Sequence, residues 1–447
     1  MNPTIALAGN DVATRETLVT RRTGRECLVL TLVALGIVAS MAALVSYEET
    51  ISQQLKPGDI FVPDLVKSRF YYAVYGIELV LFTAAGVLAL LSTEWRTIER
   101  GYLLRFAFLL GAALLMTARA YSFSELVSTK LVDATGPFPF VLFVLVFVGA
   151  RRSNWVFLEK ALIGLIIFLC ALVFWRIAIL PSLDRWAGFA YLTGFVNALF
   201  WPASWFGLKD HPANSFARRV RFLPIVIYTL GSLFTQNRLN IAMVVAFLAL
   251  YMYLQGRRRQ PRGVACVIGL AVAVWLGLFA AVFLRETHAF KSLETVGEAF
   301  YSRLDEDTRT GQLVSFVENV EPHELLLGRG SLATWKWSGM SLEWRGGTDV
   351  GYLTMLFYGG VPLLVTYLLV HLKPAIRVMW KSSDDWQLTA ASIVLLWALR
   401  MCSSTYPDMS LESYTVLFFV GACICWERDL VRPYRIDHSL RSYLPSE

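Results

Sequence analysis

Two arginines six residues apart, Arg303 and Arg309, flank the acidic tripeptide Asp305-Glu-Asp307 within a polar stretch running from Arg285 to Thr348. Guanidinium groups stay charged at any working pH and grip phosphate oxygens two at a time, so the pair suits a diphosphate held beside a bilayer. Pairing with the intervening acids on a solvated loop is the other reading. Arg238 follows Thr235-Gln-Asn237 at a short turn between two apolar runs, and it either snorkels to the interface or faces a cavity beneath the polar stretch. Asp349 stands where the next apolar run opens, in Gly346-Gly-Thr-Asp-Val-Gly-Tyr-Leu353. A carboxylate there with a raised pKa can act as general base for a hydroxyl; it can equally cap the helix, a role Thr348 could share. His323 is a further candidate base, or an ordinary loop histidine.

Asp305 and Asp307 also spell the D-x-D pattern that holds a divalent metal in many sugar-transferring enzymes, but three-residue matches are common and a solvated acidic turn explains them. No metal site and no cofactor is therefore expected. The chain has no phosphate-binding Gly-rich loop of the G-x-x-x-x-G-K type, no dinucleotide fingerprint, no H-E-x-x-H and no nucleophile elbow. Coupling to ATP within this chain has no support.

The elements that must position these residues are apolar. With 56% hydrophobic and 17% charged residues, the chain of 447 residues is too apolar for a water-soluble protein and reads as all-α and polytopic. Apolar runs fall near 26–46, 70–92, 101–118, 136–150, 155–181, 186–206, 222–236, 238–255, 263–284, 350–372, 386–404 and 410–426, which predicts about twelve transmembrane helices. Alternate connections are rich in arginine and lysine, such as Arg21, Arg22 and Arg25, Arg151 and Arg152, Arg218, Arg219 and Arg221, and Arg257, Arg258 and Arg259. By the positive-inside rule these face the cytoplasm. The organisation is then a cytoplasmic tail (1–25), helices one to nine (26–284), one large helical exported loop (285–348), helices ten to twelve (349–427) and a second cytoplasmic tail (428–447). The first run reads as a retained helix, because no small-residue cleavage site follows it.

A net charge of +7 follows from this topology and from anionic lipid at the inner face, and gives no reason to expect nucleic acid. The six cysteines all lie in or beside apolar runs, which excludes an exported disulfide framework. Arg176, Arg400 and Glu78 fall inside apolar runs, where a charge is costly in lipid and should face the bundle interior, functional or paired. Residues 207–221 form a basic connection suited to anionic headgroups, with His211 as a loop histidine.

Inside the exported loop, Leu313, Phe316, Val317 and Val320 recur at the spacing of one helix face, with Thr308 as a possible cap. Leu293, Val296, Phe300 and Leu304 suggest a second short surface helix. Pro322 should stop the first of these, and Gly328 and Gly330 should make a turn. Trp335, Trp337 and Trp344 suit a membrane-interface belt, with stacking on sugar rings as the alternative.

Several of these features together resemble the bacterial O-antigen polymerase and O-antigen ligase superfamily, integral membrane proteins of about ten to fourteen helices with one large periplasmic loop late in the chain. Gln236-Asn-Arg238 opens a helix where relatives carry a polar turn with Arg, and Arg309 begins an amphipathic run. Pro322-His-Glu-Leu-Leu-Leu-Gly-Arg-Gly330 is similar to the family's Pro-Leu-x-Gly-x-Gly turn, and Asp349-Val-Gly-Tyr-Leu353 with Tyr358-Gly-Gly-Val361 is similar to its following signature. The resemblance covers roughly residues 225–372.

It implies a bacterial inner-membrane glycosyltransferase acting on an undecaprenyl-diphosphate-linked glycan donor and a glycan acceptor within membrane lipid, with association of a chain-length regulator left open. Arg238, Arg303 and Arg309 would bind the diphosphate and stabilise it as it leaves, without metal and with inversion. Asp349 would be the base, with His323 as the alternative. Ligases that load lipid A core place His where this chain has Asp349, and Val350 replaces the usual Asn, so the polymerase branch of O-antigen or exopolysaccharide synthesis is favoured over the ligase. A polysaccharide flippase or transporter is the competing class.

Overall fold

The computed structural model describes residues 24–54, 68–93, 98–99, 101–119, 138–179, 185–212, 215–234, 238–258, 308–331, 333–336, 344–345, 348, 350–402 and 410–425. The described part is nearly all helix. The order is α1 (Gly24–Gln54), α2 (Arg69–Leu91), α3 (Tyr102–Ala118), then α4 in three parts, with a 3-10 turn at Leu142–Leu145 between Phe138–Val141 and Val146–Gly149. Next come α5 (Arg152–Ile179), α6 (Arg185–Leu208), α7 (Phe216–Val220), α8 (Leu223–Phe234) and α9 (Arg238–Arg257). The loop region supplies α10 (Thr308–Asn319), α11 (Glu324–Leu327), β1 (Trp335–Lys336) and β2 (Trp344–Arg345), before α12 (Gly351–Lys381), α13 (Asp385–Arg400) and α14 (Leu411–Ile424). Backbone groups in lipid need partners within their own segment, which is why the apolar runs are helical.

Among the described residues five helices are long and apolar enough to cross a membrane: Gly24–Thr50, Arg69–Leu91, Arg152–Arg176, Leu239–Arg257 and Gly351–Lys381. Tyr102–Ala118, Pro139–Gly149 and Leu411–Ile424 are apolar but shorter. The reason is geometric: at 1.5 Å per residue, a 12-residue helix such as α8 reaches about 18 Å against a hydrocarbon core of about 30 Å. The run expected at 263–284 and the surface helix expected near 293–304 lie outside the described residues.

The bundle packs α1 on α2, α5 on α6, α12 on α3 and α13, and α14 on α13 and α4. Where α4 meets α14 the backbones touch: a Cβ on Gly149 would stand 2.0 Å from the Phe418 carbonyl oxygen, and one on Gly421 would stand 2.2 Å from that of Val146. Small residues at such a crossing let two helices exchange van der Waals contact where no hydrophobic drive exists.

The helix ends that carry the basic clusters are tied by ion pairs. Glu99 holds both Arg105 (2.7 Å) and Arg377 (2.9 Å), Arg151 meets Glu26 (3.2 Å), Arg152 meets Asp384 (3.0 Å), Lys209 meets Glu159 (2.6 Å) and Arg258 meets Asp385. This basic end is opposite the end that carries α10 and α11.

Candidate functional site

Helix α12 contains Tyr358-Gly-Gly-Val-Pro362, and at Gly360 the chain leaves the helical path with φ 68° and ψ −169°. Pro362 has no N–H for the Tyr358 carbonyl four residues back, so the ladder is interrupted here. The loop supplies the missing donors. The Arg329 N–H donates to the Phe357 carbonyl (2.7 Å) and the Gly330 N–H donates to that of Tyr358 (2.9 Å). The fit depends on hydrogen in place of side chains: a Cβ on Gly328 would lie 2.3 Å from the Tyr358 oxygen, and one on Gly360 would lie 2.5 Å from the Leu327 carbonyl carbon. Both also have φ values that L side chains resist, 74° at Gly328 and 68° at Gly360. Ser331 N–H reaches the Met116 carbonyl (3.3 Å), so the turn bridges α12 and α3.

Arg329 closes the loop on itself. Its guanidinium donates to Glu324 (2.5 Å), to the Asn319 carbonyl that ends α10 (3.1 Å) and to the Thr334 carbonyl before β1 (3.3 Å), and lies 5.5 Å from the centre of the Phe357 ring. The Arg329 hydrogen bond holds the Glu324 carboxyl below its ordinary pKa. Above them Phe316 packs edge-on to Trp335 (5.4 Å) and against Phe357 (5.7 Å). The face expected on α10 is therefore narrower than its spacing predicts: Phe316 and Val320 are buried, while Val317 is 74% exposed, because only one side of α10 is covered. Trp335 is 1% exposed under α10, so it is neither an interface-belt residue nor a sugar platform. Trp337 lies outside the described residues, and Trp344 pairs with Lys336 in the two-stranded β1–β2 ladder.

Two threonines bond to each other at the start of α12. Thr354 Oγ1 donates to the Thr348 carbonyl (2.9 Å) and accepts from Thr348 N–H (2.9 Å), and the N-cap position falls on Val350. Gly351 N–H donates to the Met401 carbonyl (3.0 Å), which joins the start of α12 to the end of α13.

Just inside that junction is a polar cluster in the bundle. Arg400 of α13 pairs with Glu412 of α14 (3.0 Å), Trp201 Nε1 of α6 donates to the same carboxylate oxygen (3.1 Å), and the guanidinium lies 5.6 Å from the Trp201 ring centre. Arg400 is 5% exposed, and its Nε has no hydrogen-bond partner among the described residues. Asn240, two residues after Arg238, donates to Asn197 of α6 (2.9 Å), and Tyr228 of α8 donates to the Asn240 carbonyl (3.4 Å). Since α9 packs on α13, Arg238 opens a helix that leads into this region. Two acids in apolar helices accept hydrogen bonds from neighbouring helices: Ser40 donates to Glu78 (2.6 Å) and Gly194 N–H donates to Glu48 (3.1 Å).

Of the residues chosen from sequence, Arg303 and Asp349 lie outside the described residues, as do Asp305 and Asp307. Arg238 and Arg309 have their backbone placed, each at a helix start, the first residue of α9 and the second of α10. Along α10, Arg309 stands about 15 Å from the docked end at Asn319. His323 is on the loop surface, with its Nδ1 3.0 Å from the Glu321 carboxylate and both side chains 73% exposed. Among the described residues no cluster of His, Cys, Asp and Glu could hold a metal ion. Sequence reasoning gave no role to Arg329 or Glu412; an arginine between two glycines, and a lone acid opening an apolar run, were the available signals. Compared with known proteins, the chain matches no family model and no curated protein.

Proposed function

We propose that this chain is a membrane glycosyltransferase of the polysaccharide polymerase type, with twelve spans and both termini cytoplasmic in a bacterial inner membrane. It extends glycan repeats carried on undecaprenyl diphosphate at the periplasmic face. The acceptor hydroxyl attacks the anomeric carbon of the donor from the face opposite the diphosphate. A carbon–oxygen bond forms to the acceptor as the bond to the diphosphate breaks, and the hydroxyl proton passes to Asp349, or to His323 in its place. Arg238, Arg303 and Arg309 take the charge that collects on the departing diphosphate.

The observation that carries the reading is the docked turn. Arg329 and Gly330 bind the two carbonyls at the break in α12, which anchors the loop that bears Arg303 and Arg309 at the end of the bundle where α12 begins. A loop clamped through its backbone is suited to holding charged side chains over a membrane-embedded substrate. The ligase branch shares every arginine and differs only in acceptor.

A flippase or transporter is the second reading, and one observation favours it: the Arg400–Glu412 pair sits inside the bundle, where such proteins keep charge. Arg309→Ala and Asp349→Ala in the native host, with lipid-linked intermediates followed by mass spectrometry, separate the three. Loss of polymerase leaves single capped repeats, loss of ligase leaves long chains on the carrier, and loss of a transporter strands single repeats inside. Wild-type glycan from Arg309→Ala protein at normal abundance sinks the catalytic role of that arginine.

A further inference from the structure

At the basic end of the bundle, away from the loop, a groove opens between α5, α6 and α7 around a cavity of about 120 Å³. Its depth is apolar, made by Leu162, Ile163 and Ile166 on α5 and by Trp205 on α6, and Ala217 of α7 forms its lip. The α5 side continues outward as the exposed apolar surface of Ile163, Ile167 and Phe174, the surface a helix shows to hydrocarbon. The groove is therefore apolar toward the membrane interior and opens at headgroup depth.

Its polar rim is an ion pair with two further cations beside it. Lys209 and Glu159 both line the groove, and Arg218 and Arg219 lie outside the lining on the helix that forms the lip. The acids nearby are Glu159, which pairs with Lys209 at 2.6 Å, and Asp210, whose N–H donates to Asp385 at 3.3 Å. Arg221 is committed to the Tyr251 hydroxyl and His211 to the Phe206 carbonyl, whereas the Arg218 and Arg219 side chains have no partner among the described residues. Phe216, 76% exposed, stands just before them as an apolar anchor at the interface.

We propose that this groove binds one anionic phospholipid, with an acyl chain along Leu162, Ile163 and Ile166 and the phosphate against Arg218 and Arg219 at the lip. An apolar cavity with cations unpaired among the described residues beside its lip is the complement of a phospholipid. Placement in the cytoplasmic leaflet rests on the topology proposed above, but occupancy of the groove does not.

Native mass spectrometry of the full chain in detergent tests it, with phosphatidylglycerol, phosphatidylcholine and inorganic phosphate as separate probes. Phosphatidylglycerol is expected to stay bound at energies that strip phosphatidylcholine. The double variant Arg218→Gln, Arg219→Gln should lower that retention by about five-fold or more, since each cation near a lipid phosphate is worth about that factor. Ala217→Trp fills the groove and leaves every charge, and should lower retention as well. Ile163→Phe narrows it from the half-exposed side and serves the same purpose if Ala217→Trp does not fold. Equal retention of the two lipids overturns the proposal, as does a filled groove that still retains phosphatidylglycerol, or displacement of the lipid by phosphate alone. None of these outcomes bears on glycan transfer at the other end.

Discussion

The two ends of the bundle are held together by different chemistry. At the basic end, ion pairs join helix to helix: Glu99 bridges Arg105 of α3 and Arg377 of α12, Arg152 of α5 reaches Asp384 at the start of α13, and Arg258 reaches Asp385. At the loop end, the tie between loop and bundle is made by backbone N–H groups of Arg329, Gly330 and Ser331 on backbone carbonyls, with glycines permitting the approach. Charged side chains used as struts are not free to bind anything else. A loop docked through its backbone leaves its side chains for a ligand, so the basic end reads as the fixed base and the loop end as the working face.

The largest effect should come from the buried Arg400–Glu412 pair near the working face. Arg400→Ala leaves Glu412 uncompensated inside the bundle and is expected to cost about 3–5 kcal/mol, whereas replacing both by Leu should recover most of it. Thermal aggregation in detergent measures both. If the double-Leu protein is stable and still makes wild-type glycan, the pair is scaffolding and the transporter reading loses its support; if it is stable and inert, the pair belongs to the mechanism.

Gly328→Val tests the docking turn and should come next, at about 2–3 kcal/mol, because it adds strain at positive φ to a clash with the Tyr358 carbonyl. The expected result is early protease cleavage in the loop and loss of glycan, with the ion pairs of the basic end intact. Cleavage at the wild-type rate would mean that the turn does not hold the loop, and the contrast between the ends would fail.

These two cases also mark how far the residues could be read unaided. Arg400 in an apolar run had to face inward, since lipid penalises a charge, yet its partner Glu412 sits on the next helix and no local spacing points to it. Gly359, Gly360 and Pro362 announce a break in α12, and Gly328 and Gly330 announce a turn. That the turn fills the break is a contact between distant segments with no periodicity to reveal it. Phe316 and Val320 were legible as a buried face, but Val317 was not separable from them until Trp335 and Phe357 showed which side is covered. Trp335 itself was misread because its burial depends on α10 and on pairing with Arg345, both remote in the chain.

The smallest effect is a difference in pH response between the ends. Arg329 lowers the pKa of Glu324, so the unfolded loop binds a proton more readily than the docked one. Its contribution is fully present above the ordinary carboxylate value of about 4.3 and is lost as pH falls through the lower docked value. At the basic end, burial lowers the pKa of His211, so protonation again favours the opened state. That contribution is intact above the ordinary histidine value of about 6.5 and weakens as pH falls from there toward the lowered value. Lowering the pH from neutral to about 5 should loosen the 209–212 region while the loop stays docked. Hydrogen exchange on the two segments reads this directly. His211→Phe should remove the response at the basic end, Glu324→Gln should remove the one at the loop, and loosening of both ends at the same pH would show that they do not titrate as separate units.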